Sequence, residues 1–273
     1  MLYGLLYYSS LLISLAHLFV SQRMKRETVT VHRLDYCCSL SPHFHSPLLA
    51  MAETAQAMED RVTALENARF ICPKDVSVDE SIRRPRKHVE DLELWSANWK
   101  WVPPSYYNWP LEQRAKALGA RTTHMLCKSL LLENRKVTDK PELEDKLTNP
   151  RFLLVVIQYE ATLDVKKLAN SFRKLRPVKE RLDESQFDFR VASSEDNDRI
   201  TGYSHNSVTP FGLKENVPIV LPSEILSYSY FWMGGGHVHL KLGMSVSDFQ
   251  RLPNVQVMDV SVPRKATGDV EEE

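Results

Sequence analysis

The 273-residue sequence lacks an excess of either charge, because 35 lysines and arginines balance 35 aspartates and glutamates. This balance excludes the global basic field that steers many proteins towards nucleic acids. We expect no DNA partner, and any contact with RNA would depend on local basic patches. Hydrophobic residues make up 43% of the chain and charged residues 26%, which excludes disorder along its bulk and predicts one good-sized core.

Cysteine is scarce as well. Of the four cysteines, Cys37 and Cys38 are adjacent, whereas Cys72 and Cys127 stand alone. This arrangement gives neither C-x-x-C spacing nor a plausible disulfide framework. Because it fits a reducing compartment, we expect a cytoplasmic protein.

The signatures of several large enzyme classes are missing. The chain has no G-x-G-x-x-G, P-loop, H-E-x-x-H, G-x-S-x-G or EF-hand sequence, and we expect no cofactor. His237 and His239 are two residues apart on a predicted strand and would face the same side. No third ligand lies at a usual spacing, so no metal site is predicted. The glycine run 234–236 lies between two strand patterns and predicts a tight turn.

The first twenty residues carry no charged side chain and are long enough to cross a bilayer as a helix. No basic segment precedes this apolar run and no small-residue cleavage site follows it, which argues against a secretory signal. Met51 opens a stretch, MAETAQAMEDRVTALENA, that is typical of the start of a soluble protein. We therefore interpret residues 1–50 as a doubtful N-terminal extension. A membrane tether is expected only if residues 1–20 are translated.

Residues 51–110 predict a helix followed by a linker rich in proline and aromatic residues. Apolar side chains at helical spacing indicate a short amphipathic helix over residues 51–70. They are Met58, Val62, Leu65 and Ala68.

The linker has five prolines, which are expected to break any long element, and a basic run, Arg83–His88, ahead of six aromatic residues. Such a sequence could bind single-stranded RNA, with arginine on phosphate and rings stacked on bases. For the tryptophans we favour packing as a collar on the following domain, and we leave the role of the arginines open. The rings are Trp95, Trp99, Trp101, Tyr106, Tyr107 and Trp109.

Helix and strand patterns succeed one another over residues 111–263, ahead of an acidic tail at 264–273. Pro110 and Gly119 flank a short helix. Strands are predicted at HMLCKSLLLE, RFLLVVIQY, FDFRVA, VPIVL, YSYFWM, HVHLKL and VQVMDVSV, and helices at LDVKKLANSFRKL, SSEDNDRI, SEIL and SVSDFQRL. Several strands are adjacent in sequence, which predicts an α/β fold of the α+β type with a mixed, mostly antiparallel sheet and packed helices.

Four segments in order carry a resemblance to a known family. They are EQRAKALGARTTHMLCKSLLL, LLVVIQYEATLDVKKLANSF, FRVASSEDNDRITGYSHNSVTPFGL, and VPIVLPSEI with the closing SVSDFQRL. The third is the most specific, since A-S-x-E followed by T-G-Y and P-F-G-L is a distinctive string. Together they span nearly all of residues 111–262 and resemble the YbaK and prolyl-tRNA-synthetase-associated editing domain family.

The resemblance implies a free-standing deacylase that hydrolyses the ester between a mischarged amino acid and the terminal ribose of tRNA. Its expected partners are the 3′ end of aminoacyl-tRNA and, as a further possibility, an aminoacyl-tRNA synthetase. The reaction needs an orienting pocket, donors for an oxyanion and a positioned water or ribose hydroxyl. Lys128 matches the family lysine, which is implied to hold the substrate. The alternative is a strand-end lysine that extends to solvent.

The loop Gly202–Leu213 matches the family segment that shapes the pocket. The resemblance implies catalytic roles for Gly212 and His237 beside Lys128, although His237 is equally well a plain turn residue. The implied substrate-binding residues are Gly202, Tyr203, Asn206, Thr209, Pro210, Phe211 and Gly235.

Two departures from the family pattern favour an alternative function. Asn206 stands where relatives usually have the glycine of G-x-x-x-P, although asparagine tolerates positive φ better than other non-glycine residues. Pro222 stands where many relatives have an aspartate. The alternative is a non-catalytic tRNA-binding or synthetase-associated adaptor with the same fold, which the N-terminal helix and the basic run Arg83–His88 also favour.

Overall fold

The computed structural model describes residues 47–73 and 75–264. The apolar segment 1–20 and residues 265–273 of the acidic tail lie outside this range. The chain divides into two compact units, residues 1–61 and 62–273, and residues 62–110 belong to the same unit as the segments that follow them. In the described ranges, every helix is too short or too polar to cross a bilayer.

Seven helices and ten strands form in the described part of the chain. The helices are α1 (Pro47–Phe70), α2 (Glu80–Asp91), α3 (Leu111–Leu118), α4 (Arg135–Asp139), α5 (Val165–Lys174), α6 (Ser194–Thr201) and α7 (Val246–Phe249). The strands are β1 (Asn98–Trp101), β2 (Cys127–Asn134), β3 (Phe152–Gln158), β4 (Ala161–Leu163), β5 (Phe189–Val191), β6 (Ile219–Pro222), β7 (Tyr230–Gly234), β8 (Leu240–Ser245), β9 (Val255–Met258) and β10 (Ser261–Pro263).

The main sheet has the order β5-β2-β3-β6-β9. Strand β2 pairs antiparallel with β3 and β5, whereas β6 pairs in parallel with β3 and β9. A second sheet, β1-β8-β7, and a pair, β10-β4, are antiparallel throughout. This architecture confirms the predicted α+β class with a mixed sheet.

Strand β3 lies at the centre of the core, and all seven of its residues are buried. Alternate side chains face two separate clusters. Leu154 packs on one face with aromatic residues from the loop after α6 and from β7 and α7, while Leu153 packs on the other with Leu168 and Phe172 of α5. Burial on both faces explains why this strand reads as a continuous apolar run.

The helix caps follow the sequence closely. Ser193 accepts the Asp196 amide at the start of α6, and Ser245 accepts the Asp248 amide at the start of α7. Gly119 ends α3 in the left-handed conformation, at φ 77°. Side-chain acceptors at the first turn and glycine at the last satisfy backbone groups that a helix leaves unpaired.

Helix α1 is confirmed, but its predicted apolar face is not buried. Met58 and Leu65 are 70% and 64% exposed, and Phe70 is its only buried residue among those whose exposure is described. Alanine, glutamate and methionine favour a helix at these positions without tertiary packing. Helical spacing alone was therefore insufficient to predict an amphipathic role.

The linker was expected to lack long elements, and this expectation is wrong. Helix α2 runs for twelve residues with Pro85 inside it, and Asp79 caps its start by accepting the Ser81 and Ile82 amides. Ile82, Pro85 and Val89 are buried. Burial of this face offsets the hydrogen bond that proline removes from the helix.

The basic run lies within α2, and its arginines make contacts inside the protein. Arg83 forms a two-bond ion pair with Glu66 at 2.8 and 2.7 Å. Arg84 donates to the Gly202 carbonyl at 2.6 Å. Arg86 stacks on the rings of Phe70 and Trp99, and burial lowers its pKa to about 10. These contacts answer the open question about the arginines, because all three anchor α2.

The aromatic collar is confirmed for three of the four tryptophans, and the two tyrosines pack with them. Trp99 and Trp101 lie on β1, which pairs with β8, and pack against the cluster around Ile82. The other three, Tyr106, Tyr107 and Trp109, pack in a cluster with Leu126 and Trp232. Trp95 is the exception, since it is 78% exposed.

Three boundaries differ from those predicted. His237 and His239 lie in the turn before β8 and not on the strand. The last predicted strand is divided into β9 and β10, because β9 continues the main sheet while β10 pairs with β4. The segment 134–150, where no element was predicted between two strands, contains α4, which Asn134 caps by accepting the Lys136 amide.

Candidate active site

A cavity of about 730 Å³ opens beside strands β2 and β7. Its walls come from β2, β7, the start of α6, the loop at 204–208 and the 3-10 turn that carries Tyr106 and Tyr107. This volume lies within the usual range for small-molecule and cofactor sites. Segments that are far apart in sequence therefore converge on one concave surface.

Lys128, the second residue of β2, lines this cavity. It is half-buried, pairs with Ile157 across the sheet, and its ammonium lies 5.7 Å from the centre of the Tyr159 ring. The adjacent thiol of Cys127 also reaches the lining, but burial raises its pKa far above the usual range. The thiol therefore stays protonated, and Lys128 and Ser129 are the polar groups that β2 offers here.

Asn206 lines the cavity from the loop after α6, and its backbone has φ 62°. The expectation that asparagine would hold the left-handed conformation at this position is confirmed. Its carbonyl accepts a hydrogen bond of 2.9 Å from the hydroxyl of Tyr107. The loop is therefore fixed to the aromatic wall of the cavity at this residue.

The other eight residues that the sequence indicated do not line the cavity in the described part of the chain. Gly202 ends α6 at φ 72°, and the buried hydroxyl of Tyr203 donates to the Phe211 carbonyl at 2.6 Å. Thr209, Pro210 and Phe211 are buried. These buried residues fix the loop on the side that faces away from the cavity.

Gly212 is fixed by helix α2. Its amide donates to Nδ1 of His88 at 2.9 Å, and its φ is 65°. A Cβ on Gly212 would lie 2.7 Å from the backbone carbon of Arg84, a distance that real Cβ atoms do not adopt. Glycine is required here by close packing of two backbones.

His237 and Gly235 lie at the turn between β7 and β8. The ring of His237 lies 5.4 Å from that of Trp101, and its Nδ1 accepts the amide of His239 at 3.2 Å. Burial lowers the pKa of His237, so its neutral form is favoured. Gly235 donates its amide to Leu240 across the turn. These contacts agree with the interpretation of His237 as a turn residue.

Pro222 also lies away from the cavity lining, at the end of β6 where it pairs with Met258.

Lys241, on β8, lines the cavity and was missed in the sequence. It is only 5% exposed, and its ammonium donates to the Tyr107 hydroxyl and to the Val238 carbonyl. Burial is the main cause that lowers its pKa to about 7, and the nearby guanidinium of Arg114 lowers it further. The signal was visible, since Lys241 interrupts an apolar strand just as Lys128 does.

Charges around the cavity are unequal. The lining has three basic side chains, Lys128, Lys241 and Arg264. Among the described residues it has one carboxylate side chain, that of Asp198. In the same ranges, no three His, Cys, Asp or Glu side chains lie close enough together to hold a metal ion. The cavity therefore favours a ligand with negative charge or exposed oxygen acceptors.

Comparisons with known proteins identify a family and a common fold. The family model described as an aminoacyl-tRNA editing domain matches residues 111–252. A crystal structure described as that of a proposed trans-editing enzyme for prolyl-tRNA synthetase superposes with a TM-score of 0.52 and 21% identity, over 68% of this chain and 99% of the other. A structure from work on computational grafting of epitopes onto scaffold proteins gives a TM-score of 0.51 and 19% identity, over the same shares of the two chains. Likeness at these identities shows a common fold alone. No curated protein matches the sequence.

Proposed function

This chain belongs to the aminoacyl-tRNA editing domain family, and we propose that it acts in trans as a deacylase that hydrolyses the ester of mischarged tRNA. The observation that carries the proposal is that Lys128 and Asn206, both indicated by the sequence, border one cavity of about 730 Å³. Its basic lining suits the terminal nucleotide and the acyl group of a charged tRNA. The cytoplasm, where translation takes place, is the proposed location.

Lys128 is proposed to hold the substrate and not to attack it. An ammonium at the cavity wall can hold the ester in place or contact the terminal phosphate and sugar, which lowers the entropic part of the barrier. The aminoacyl ester is already reactive, so a nucleophilic triad is not required. Since the Cys127 thiol stays protonated, water is the proposed nucleophile.

Backbone amides of the loop after α6 are the proposed donors to the oxyanion, and amides that already donate hydrogen bonds within the protein are excluded from this role. The amides of Ser207 and Gly212 already donate to the Ser204 carbonyl and to His88. We therefore assign oxyanion stabilisation to the part of the loop that lines the cavity, at His205, Asn206 and Val208. Gly212 supports this part of the loop from outside the cavity.

The adaptor alternative has lost two of its supports. The arginines of α2 are engaged inside the fold, and Asn206 adopts the backbone conformation expected of the family glycine. An adaptor would bind tRNA in a salt-sensitive manner without turnover. A synthetase partner remains part of that proposal.

The test is a deacylation assay of the purified protein across a panel of mischarged tRNAs. The Lys128→Ala variant should lose activity by about 100-fold, the scale for removal of one preorganised electrostatic contact. Lys174→Ala is the matched control, because Lys174 is an exposed lysine at the end of helix α5 and does not line the cavity. Full activity of Lys128→Ala would refute the mechanism. Binding without turnover of any charged tRNA would favour the adaptor.

A further inference from the structure

Lys241 has more hydrogen-bonding capacity than the protein uses. A lysine ammonium has three N–H donors. Two partners are present, the Tyr107 hydroxyl and the Val238 carbonyl, the latter at 3.3 Å. Because Lys241 lines the cavity, the third donor is available to a ligand there.

The described surroundings of Lys241 contain no counter-ion. Among the described residues, no carboxylate lies within ion-pair distance of its ammonium. The rings of Tyr106 and Tyr107 lie 5.2 and 4.4 Å from it. Arg114 is a second buried cation nearby, and its guanidinium donates to the carbonyls of Trp109 and Tyr107. A buried cation in such a position is costly unless a negative group offsets it.

We infer that Lys241 is the recognition group of a subsite for an anionic oxygen group, and that this group is a carboxylate on the acyl side chain of the substrate. The inference rests on the proposed deacylase function and names the class of acyl group that the cavity takes. A bound carboxylate would accept the third N–H of Lys241 and supply the missing counter-charge.

Depth in the cavity favours an acyl side chain over a phosphate of the tRNA. Lys241 is 5% exposed, whereas Arg264 lies in the same lining and is exposed. A phosphate within a nucleic-acid backbone is bulky and reaches exposed cations first. The acyl side chain is the narrow end of the substrate, so it can reach a buried one.

The subsite is also joined to the proposed oxyanion loop. The Tyr107 hydroxyl accepts from Lys241 and donates to the Asn206 carbonyl. An acyl side chain bound at Lys241 would therefore have a fixed position relative to the segment that is proposed to stabilise the reacting carbonyl. Recognition of the acyl group and placement of the ester would then depend on one hydrogen-bonded chain.

Binding should be coupled to protonation of Lys241. Its pKa near 7 in the unliganded cavity means that the neutral amine is populated at and above neutral pH. The charged and titratable groups that face it are Arg114, Tyr106, Tyr107, Lys100 directly opposite on β1 and, at the preceding turn, His237. A carboxylate favours the ammonium form, so its affinity should fall as pH rises from 6 to 8.5.

The probes are two pairs of non-hydrolysable analogues, in which the acyl group is joined to 3′-amino-3′-deoxyadenosine by an amide. One pair is aspartyl and asparaginyl, the other glutamyl and glutaminyl, so that each carboxylate has a neutral partner of equal size. Calorimetry on the full-length protein at pH 6 should show at least one acid bound about 10-fold more tightly than its amide, which corresponds to the loss of one charged contact. The acid preference should shrink at pH 8.5.

Lys241→Met should abolish the acid preference, and the exposed-lysine control Lys174→Met, at the end of α5, should keep it. Equal binding of acid and amide by the unaltered protein would overturn the inference, and this comparison needs no variant to fold. An acid preference that survives Lys241→Met would also overturn it. Inorganic phosphate is the third probe: if phosphate competes with the acid and Lys241→Met loses phosphate binding, the subsite belongs to a tRNA phosphate and the acyl assignment is wrong.

These measurements are independent of turnover. A protein that fails to deacylate every charged tRNA can still distinguish the acid from the amide, so failure of the proposed function and failure of the subsite are separate results.

Discussion

The loop after α6 has two halves that behave differently. Residues 204–206 and 208 face the cavity, whereas Thr209, Pro210 and Phe211 are buried and Gly212 is fixed against α2. One continuous string of residues therefore contains both a proposed chemical surface and the support behind it. The comparison teaches that a distinctive sequence string can be maintained largely by packing, with few of its residues in contact with a ligand.

The largest expected effect tests the supporting half. Gly212→Ala places a Cβ against the backbone of Arg84 in a left-handed conformation, and should lower the free energy of unfolding by about 3 kcal/mol. Urea denaturation measures it. Gly119→Ala is the matched control, since Gly119 has φ 77° but no atom within 4 Å of the added Cβ, and should cost only about 1 kcal/mol. Equal losses for the two variants would mean that the contact with α2 does not support the loop.

A smaller effect, on rate, tests the cavity-facing half. Asn206→Gly removes a Cβ at φ 62° beside the cavity and should raise kcat/KM for deacylation by about 10-fold, because the ester can approach the backbone more closely. Its free energy of unfolding should change by no more than about 0.5 kcal/mol. Asn206→Ala is the control, which keeps a Cβ and should give no gain in rate. A gain in both variants would show that the asparagine amide itself hinders the reaction.

The smallest effect is a pH dependence that joins the supporting half to α2. Burial lowers the pKa of His88 below the ordinary 6.5, and the neutral ring accepts the Gly212 amide. The unfolded chain takes up the proton first, so stability is complete above pH 6.5 and declines as the pH falls below that value. Urea denaturation between pH 7.5 and 5 should show this decline, and His88→Gln should reduce its slope. An unchanged slope in the variant would assign the decline to other groups.

Much of the fold could be predicted because its elements carry local signals. The apolar run of β3, the cap at Ser193 and the stop at Gly119 each reflect physics within a few residues of chain. Helix α2 could not be predicted in the same way. Its Pro85 is a local signal against a helix, and the burial that offsets this signal comes from residues distant in sequence.

The residues of the candidate site likewise differ in whether the sequence could predict them. Lys128 and Asn206 were indicated by the resemblance, and both border the cavity. Lys241 acquires its buried environment from Tyr107, which lies 134 residues earlier in the chain. No pattern within β8 predicts that contact, since Lys241 and Tyr107 meet only when the turn that carries Tyr107 folds over the strand.

Helix α2 and the turn that carries Tyr107 both precede residue 111, where the family match begins. A fragment cut to residues 111–252 would lose the partners of Gly202, Gly212 and Asn206. The recognisable family stretch is therefore shorter than the cooperative unit, and any excised domain should begin upstream of Asp79, the residue that caps α2. Helix α2, the turn that carries Tyr107 and the family stretch therefore have to be expressed, swapped or transplanted together.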